Sequence, residues 1–286
     1  MDRRHRTRPR RPPGLRLRGP PLSGGAIEIS LGEVAAALVL VAIAAAISRW
    51  RRAGLEAGIG IAVVRSFVQL TAIGVVITAI FDSDSLLLVV ALLAVMVGFG
   101  AFTARTRTRH VPGSLGPLLI ALALSATATL GLVLALGIFP AEPRYLVPVG
   151  GMVIGNAMTA SAVALNRLGD EMTSSAARIE ATLALGATAR IAAEPIVRGA
   201  LRSGTIALVD STKTTGLIFF PGTMVGMLLA GADPTDAVRL QLILLYVLLG
   251  AVAISALVAT TLAYRGFFTS AHQLRDTAGR PAGNRR

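Results

Sequence analysis

The 286-residue sequence has no cysteine, a single lysine, one tryptophan and three tyrosines, and charged residues make up only 15% of it. The absence of cysteine excludes disulfides, thiolate metal ligands and thiol nucleophiles. Soluble domains carry about 25% charged residues, so this chain has too few to cover a water-exposed globule. No Gly-x-x-x-x-Gly-Lys-Ser/Thr loop occurs, and the one lysine, Lys213, follows Ser211 and Thr212 rather than glycine. The chain therefore has no phosphate-cradling loop for a nucleotide of its own. The run from Ile206 to Asp210 imitates the apolar strand that ends in a magnesium-binding Asp, but without such a loop it reads as part of a membrane span. Histidine is also scarce. His5, His110 and His272 lie in tails or loops, and no carboxylate cluster falls within an apolar stretch, so no metal ligand set is assigned. A hard cation needs several oxygen ligands. The sequence offers no such set, and Met152 and Met158 read as packing.

What is abundant is aliphatic. Hydrophobic residues make up 53% of the chain, and the mean hydropathy is +0.69. Apolar windows long enough to cross a bilayer fall at 31–48, 59–81, 86–102, 117–139, 145–165, 205–230 and 237–264. This pattern predicts an all-α polytopic membrane protein of about seven transmembrane helices, with one membrane domain over 26–265.

The formal charge of +13 sits mainly in two tails, eight arginines within residues 1–20 and five within 265–286. Pro9, Pro12, Pro13, Pro20 and Pro21 interrupt the first tail, which reads as a disordered basic segment over 1–25. It does not read as a signal peptide. A basic stripe without interleaved aromatics on a folded surface argues against nucleic acid, and basic ends beside spans suit anionic lipid. Apart from 1–30, sixteen arginines fall in alternate loops and the C-terminal tail, against Arg144 and Arg239 on the other side. By the positive-inside rule the first group, and with it the tail over 266–286, is cytoplasmic, which places the N-terminus outside. The arginine-rich start conflicts with that orientation, and the expectation is that Met1 lies upstream of the native start.

The segment 166–204 is unlike the other loops. It combines Asp170, Glu171, Glu180 and Glu194 with five arginines, and keeps apolar residues such as Ile179, Leu183 and Ala187 at helical spacing. Cytoplasmic amphipathic helices are expected there, lying on the bilayer or docking a cytosolic partner. Within it, Glu180-Ala181-Thr182-Leu183-Ala184-Leu185-Gly186 resembles the Glu-Ala-Ala-x-x-x-Gly loop of ABC transporter membrane subunits. In place of that loop's second alanine stands Thr182. Small residues admit another backbone, the glycine permits a sharp turn, and the glutamate can pair with a basic partner residue. The resemblance implies that Glu180, Ala181, Leu185 and Gly186 form a coupling helix for a separate ATPase.

A wider likeness covers about 31–275. Pro148 to Met158, Leu185 to Thr188, Val209 to Leu217 and Pro221 to Met224 look like the FetB (YbbM) family of ABC permease subunits. Arg65, Gln69, Tyr264-Arg265 and His272-Gln273-Leu274 fit the same family. The likeness implies a non-enzymatic transport subunit in the cell membrane, with iron export among bacterial members and aluminium tolerance among plant relatives. It also implies a cytosolic ATPase partner that binds ATP and magnesium, and a homodimer of permease chains.

Polar residues inside the apolar windows are the candidates for a translocation path. Asp210 and Lys213, three residues apart on one helical face, should form an ion pair roughly 13 Å inside the membrane, where a lone charge is costly. Asn156 lies near mid-bilayer, where its amide needs a partner or a polar pathway. Arg65 and Gln69 share a face of the second window, and snorkelling also accounts for Arg65. Gly151 with Gly155, and Gly222 with Gly226, form Gly-x-x-x-Gly pairs expected to pack helices closely, and Pro221-Gly222 marks a break or hinge. The rival reading is a self-contained secondary carrier or channel that couples ions through Asp210 and Lys213.

Overall fold

The computed structural model describes residues 31–83, 85–108 and 110–275. The expected disordered tail over 1–25 and the last residues of the C-terminal tail lie outside them. The described chain folds as α1 (Leu31–Trp50), α2 (Glu56–Ser83), α3 (Leu86–Arg107), α4 (Leu115–Ala135), α5 (Pro143–Ser174), α6 (Ala176–Ala184), α7 (Ala189–Thr214), α8 (Gly222–Leu229) and α9 (Pro234–Ala263), followed by a 3-10 turn at Tyr264–Phe267. Among the described residues, α1 to α5 and α9 with its following turn are long and apolar enough to cross a membrane.

The remaining window, 205–230, is not one helix. α7 ends at Thr214, an irregular segment follows, and α8 restarts at Gly222. Gly216 takes φ +86° and its N–H donates to Phe219 O at 2.9 Å, a reversal that a residue with a Cβ resists. Pro221, in extended backbone, then caps α8. The sixth apolar window is thus discontinuous, broken near its middle.

Helix starts follow local chemistry. Pro143 and Pro234 open α5 and α9 at positions where a missing N–H costs nothing, and Asp233 Oδ1 accepts from Thr235 N at 2.8 Å. α5 runs through the middle of the bundle. Its 32 residues span about 48 Å at 1.5 Å per residue, so it extends well beyond a core of about 30 Å. The core is built on it: Ala157, Leu165, Leu168 and Met172 pack with Leu118, Leu122, Ile196 and Ala259, while Val149 and Val153 meet Leu130 and Leu244 nearer the other end.

Hydroxyls tie the helices together. Ser125 Oγ on α4 donates to Ala251 O at 2.8 Å, and Ser255 Oγ on α9 donates to Ala157 O at 3.3 Å. In lipid such bonds replace the hydrophobic drive that holds soluble bundles. α1 and α2 stand apart. α2 reaches the bundle through Ile80, which packs with Val89, Leu146 and Val147.

Candidate functional site

Two regions carry the candidate residues. The first is the connection between α5 and α7. The segment 166–204 consists of the last turns of α5, all of α6 and the first turns of α7, braced by the i,i+4 pairs Arg167–Glu171 and Arg198–Glu194. α6 anchors through Ile179, which is 1% exposed. It turns Glu180, Ala181 and Ala184 outward, and Leu185 beside them is 89% exposed. Gly186 takes φ +87° with nothing within 4 Å of an added Cβ, and Ala187 N donates back to Thr182 O. The turn needs glycine for its backbone, since the space around it is open. The amphipathic reading of Ile179 fits this placement. Leu183 is partly buried beside it, whereas Leu185 points the other way.

The second region is the broken crossing. Lys213 Nζ lies 2.9 Å from Asp210 Oδ1, the pair their spacing predicts. The side chains are 67% and 57% exposed respectively, so among the described residues no other element covers them. Their cover in the membrane is therefore lipid, water or a second copy. Ser211, the neighbour of Asp210, lines a groove of about 270 Å³ with Asn156, Thr159, Ser203, Gly204 and Leu208. Asn156 Nδ2 donates to Met152 O of its own helix at 2.8 Å, which leaves its Oδ1 available to the groove. The structure therefore brings Asn156 together with the polar face of α7. Arg65 and Gln69 are not part of that groove; they line a separate shallow one on α2 with Ile61, Val64 and Val68.

The glycines divide differently from the expectation. A Cβ at Gly151 would meet Met96 Cε at 3.3 Å, but at Gly155, Gly222 and Gly226 it would meet nothing within 4 Å. Among the described residues those three do not pack helices, because the faces they occupy are open. Close approach falls instead to Gly150, where an added Cβ would collide with Leu93 Cδ2, and to Gly204, where it would lie 2.7 Å from the backbone oxygen of Ala160 and 2.8 Å from Ala164 Cβ. Sequence reasoning missed Gly204, Ser203 and Thr159. Ser203, Ala207 and Ser211 recur every four residues, a small-residue stripe that signals a face against another helix. Pro221 and Gly222 do flank a break, but the irregular segment precedes them and exposes Leu217 and Ile218 at 90% and 79%.

Among the described residues there is no group of three or more His, Cys, Asp or Glu placed to hold a metal ion.

Residues 31–268 match the model of the Uncharacterised protein family (UPF0014). The chain is 38% identical over 241 residues to the UPF0014 membrane protein STAR2 of Oryza sativa subsp. japonica, covering 84% of this chain and 85% of that one. It is 37% identical to Protein ALUMINUM SENSITIVE 3 of Arabidopsis thaliana, covering 84% and 88%. It is 34% identical to the "Probable iron export permease protein FetB" of Escherichia coli, covering 86% and 95%. No solved structure matches. With a family match across nearly all the described residues and relatives aligned over most of their own length, the chain belongs to the UPF0014 family of multi-pass membrane proteins.

Proposed function

We propose that this chain is the membrane-spanning permease subunit of an ATP-driven ABC exporter, working as a homodimer with two copies of a separate cytosolic ATPase docked on 166–204. The observation that carries the reading is α6: a nine-residue helix held between two long helices, with Glu180, Ala181 and Leu185 exposed and a positive-φ Gly186 at its end. A short rigid helix with an apolar tip and one acidic residue suits a cleft with a basic rim. Movement there is transmitted directly, because α5 and α7 leave it as continuous helices that reach the groove around Asn156 and Ser211.

ATP and magnesium belong to the partner, and this chain contributes no catalytic residue. A homodimer is supported by what the single chain leaves open. An exposed Asp210–Lys213 pair inside an apolar window faces a water-filled path or a second copy rather than lipid. Iron or another metal-related solute is the cargo class, from the name of the Escherichia coli relative. The arginine asymmetry supports a cytoplasmic α6 side and a cytoplasmic C-terminus. Reporter fusions after Arg275 should be active only inside, and periplasmic activity would overturn that orientation.

The test is co-purification. A cytosolic ATPase should accompany the chain, and its hydrolysis in the reconstituted complex should rise with the exported solute across a panel of metals and metabolites. If no ATPase accompanies the chain and purified chain alone moves solute under an ion gradient, the carrier reading built on Asp210 and Lys213 replaces this one.

A further inference from the structure

The start of α7 and the end of α9 meet around a cavity of about 480 Å³ on the α7 flank of the first region, sharing its Arg198–Glu194 pair and distinct from the groove at Asn156. Its lining falls into two classes. Arg190, Arg198 and Arg265 are exposed and basic, with the acidic Glu194 and the polar Thr261 and Tyr264 among them, while Val197, Leu201 and Leu257 are apolar. Arg198 is already paired with Glu194. Arg190 and Arg265 have no ion pair or side-chain hydrogen bond among the described residues.

The Glu194–Arg198 pair lies part-way along α7 beside Val197, while the unpaired Arg190 and Arg265 fall at one end of the cavity and Leu201 and Leu257 at the other. On α7 the basic Arg190 sits in the first turn and Leu201 lies three turns further in; Leu257 on α9 precedes by eight residues Arg265, which lies in the 3-10 turn that follows α9. Leu257 is about 35 Å along α9 from Pro234 at 1.5 Å per residue. A hydrocarbon core of about 30 Å therefore ends close to it, and Arg265 falls among headgroups. Leu257 is 51% exposed, so the cavity opens toward the lipid. Two antiparallel helices thus pass together from basic to apolar, the profile of a phospholipid and not of a soluble anion.

We propose that this cavity binds one anionic phospholipid of the inner leaflet, with its phosphate held by Arg190 and Arg265 and an acyl chain laid along Val197, Leu201 and Leu257. Arginine presents a planar fork of donors suited to phosphate oxygens, and basic pockets between spans on the cytoplasmic side hold anionic headgroups. The assignment is independent of what the chain transports and takes from the proposed topology only the leaflet. The site lies at the start of α7, so an occupied cavity would fix the angle at which that helix enters the membrane.

The experiment is native mass spectrometry of the full chain in detergent, titrated with phosphatidylglycerol or phosphatidylcholine of equal chain length. Wild type should retain phosphatidylglycerol in preference to phosphatidylcholine, with one molecule per chain. Arg190→Gln with Arg265→Gln should weaken that retention about thirty-fold, about five-fold for each arginine. Arg190→Lys with Arg265→Lys should keep most of it, and Arg239→Gln at the opposite end should change nothing. Equal retention of the two lipids by wild type would overturn the proposal without any variant. So would displacement of phosphatidylglycerol by equimolar glycerol phosphate, or a glutamine double variant that keeps its lipid but loses the ATPase, since the arginines would then serve a soluble anion or a protein partner.

Discussion

α2 and α5 are both long apolar helices, and they end up in opposite environments. None of the most apolar window of α2 is buried in the chain, whereas 56% of that of α5 is. Yet α2 is the more hydropathic of the two. Lipid tails are as apolar as leucine, so hydropathy says that a helix can sit in a bilayer and says little about whether it packs. Burial follows small side chains. α5 carries Gly150, Gly151, Ala157, Ala160 and Ala164 on the faces that neighbours approach, while α2 turns Ile61, Val64, Phe67, Val68 and Leu70 outward. α2 also has glycines, but a Cβ at Gly58, Gly60 or Gly74 would meet nothing within 4 Å.

The strongest way to break the comparison is to add a side chain where the bundle is tightest. Gly204→Val would force a Cβ to within 2.7 Å of the Ala160 backbone oxygen, and a backbone cannot swing aside as a side chain does. Overpacking of this kind costs about 1–3 kcal/mol, and Gly204→Val should fall at the upper end, with lower yield and a reduced unfolding temperature in detergent. Gly150→Val should cost less because Leu93 can change rotamer. Gly74→Ala on α2 should do the reverse, gaining up to about 1 kcal/mol from helix propensity alone. A Gly204→Val protein as stable as wild type would remove the packing argument for α5 and α7.

Next in size is the surface that the bundle presents to its partner. Glu180→Arg, Leu185→Arg and Gly186→Val should each lower ATPase recovery at least roughly ten-fold while membrane insertion and unfolding temperature stay near wild type. The first two change exposed side chains, and surface changes away from packing usually alter stability by no more than about 0.5 kcal/mol. Gly186→Val adds strain at a positive φ, so its effect on unfolding is the larger of the three. Equal loss of insertion and of ATPase in all three would make α6 a folding element.

Much of this was legible in the residues. Six of the seven apolar windows are continuous helices, and the composition of 166–204 marked it as different from a loop. The Asp210–Lys213 pair followed from an i,i+3 spacing. Its surroundings did not, because exposure depends on which helices pack against α7, and hydropathy carries no record of that. The Gly-x-x-x-Gly pairs carry the same limit: such a pair shows where a helix can be approached, and of the four glycines only Gly151 meets one of the chain's own described helices. The break after Thr214 was half visible. Pro221-Gly222 signalled its end, while Leu217, Ile218, Phe219 and Phe220 kept the window apolar through the irregular segment, so hydropathy alone read it as one span.

The smallest expected effect on stability, and the sharpest test of the open face, comes from Asp210 and Lys213. An exposed i,i+3 pair contributes about 0–1 kcal/mol, so Asp210→Asn and Lys213→Met should each leave the unfolding temperature of the isolated chain in detergent nearly unchanged. In the assembled complex the same groups lie within an apolar window, where an unpartnered charge is unfavourable. The single variants should therefore lower recovery of the dimer, and the double variant, with no net charge to desolvate, should restore it. Transport then separates the two roles. A double variant that assembles, binds the ATPase and hydrolyses ATP but moves no solute places the pair on the path beside Ser211 and Asn156. A double variant that also transports makes it a structural tie between copies, and the path must then be sought elsewhere. If both single variants instead unfold as isolated chains, the pair is covered by the chain itself and the open face of α7 is not the one described above.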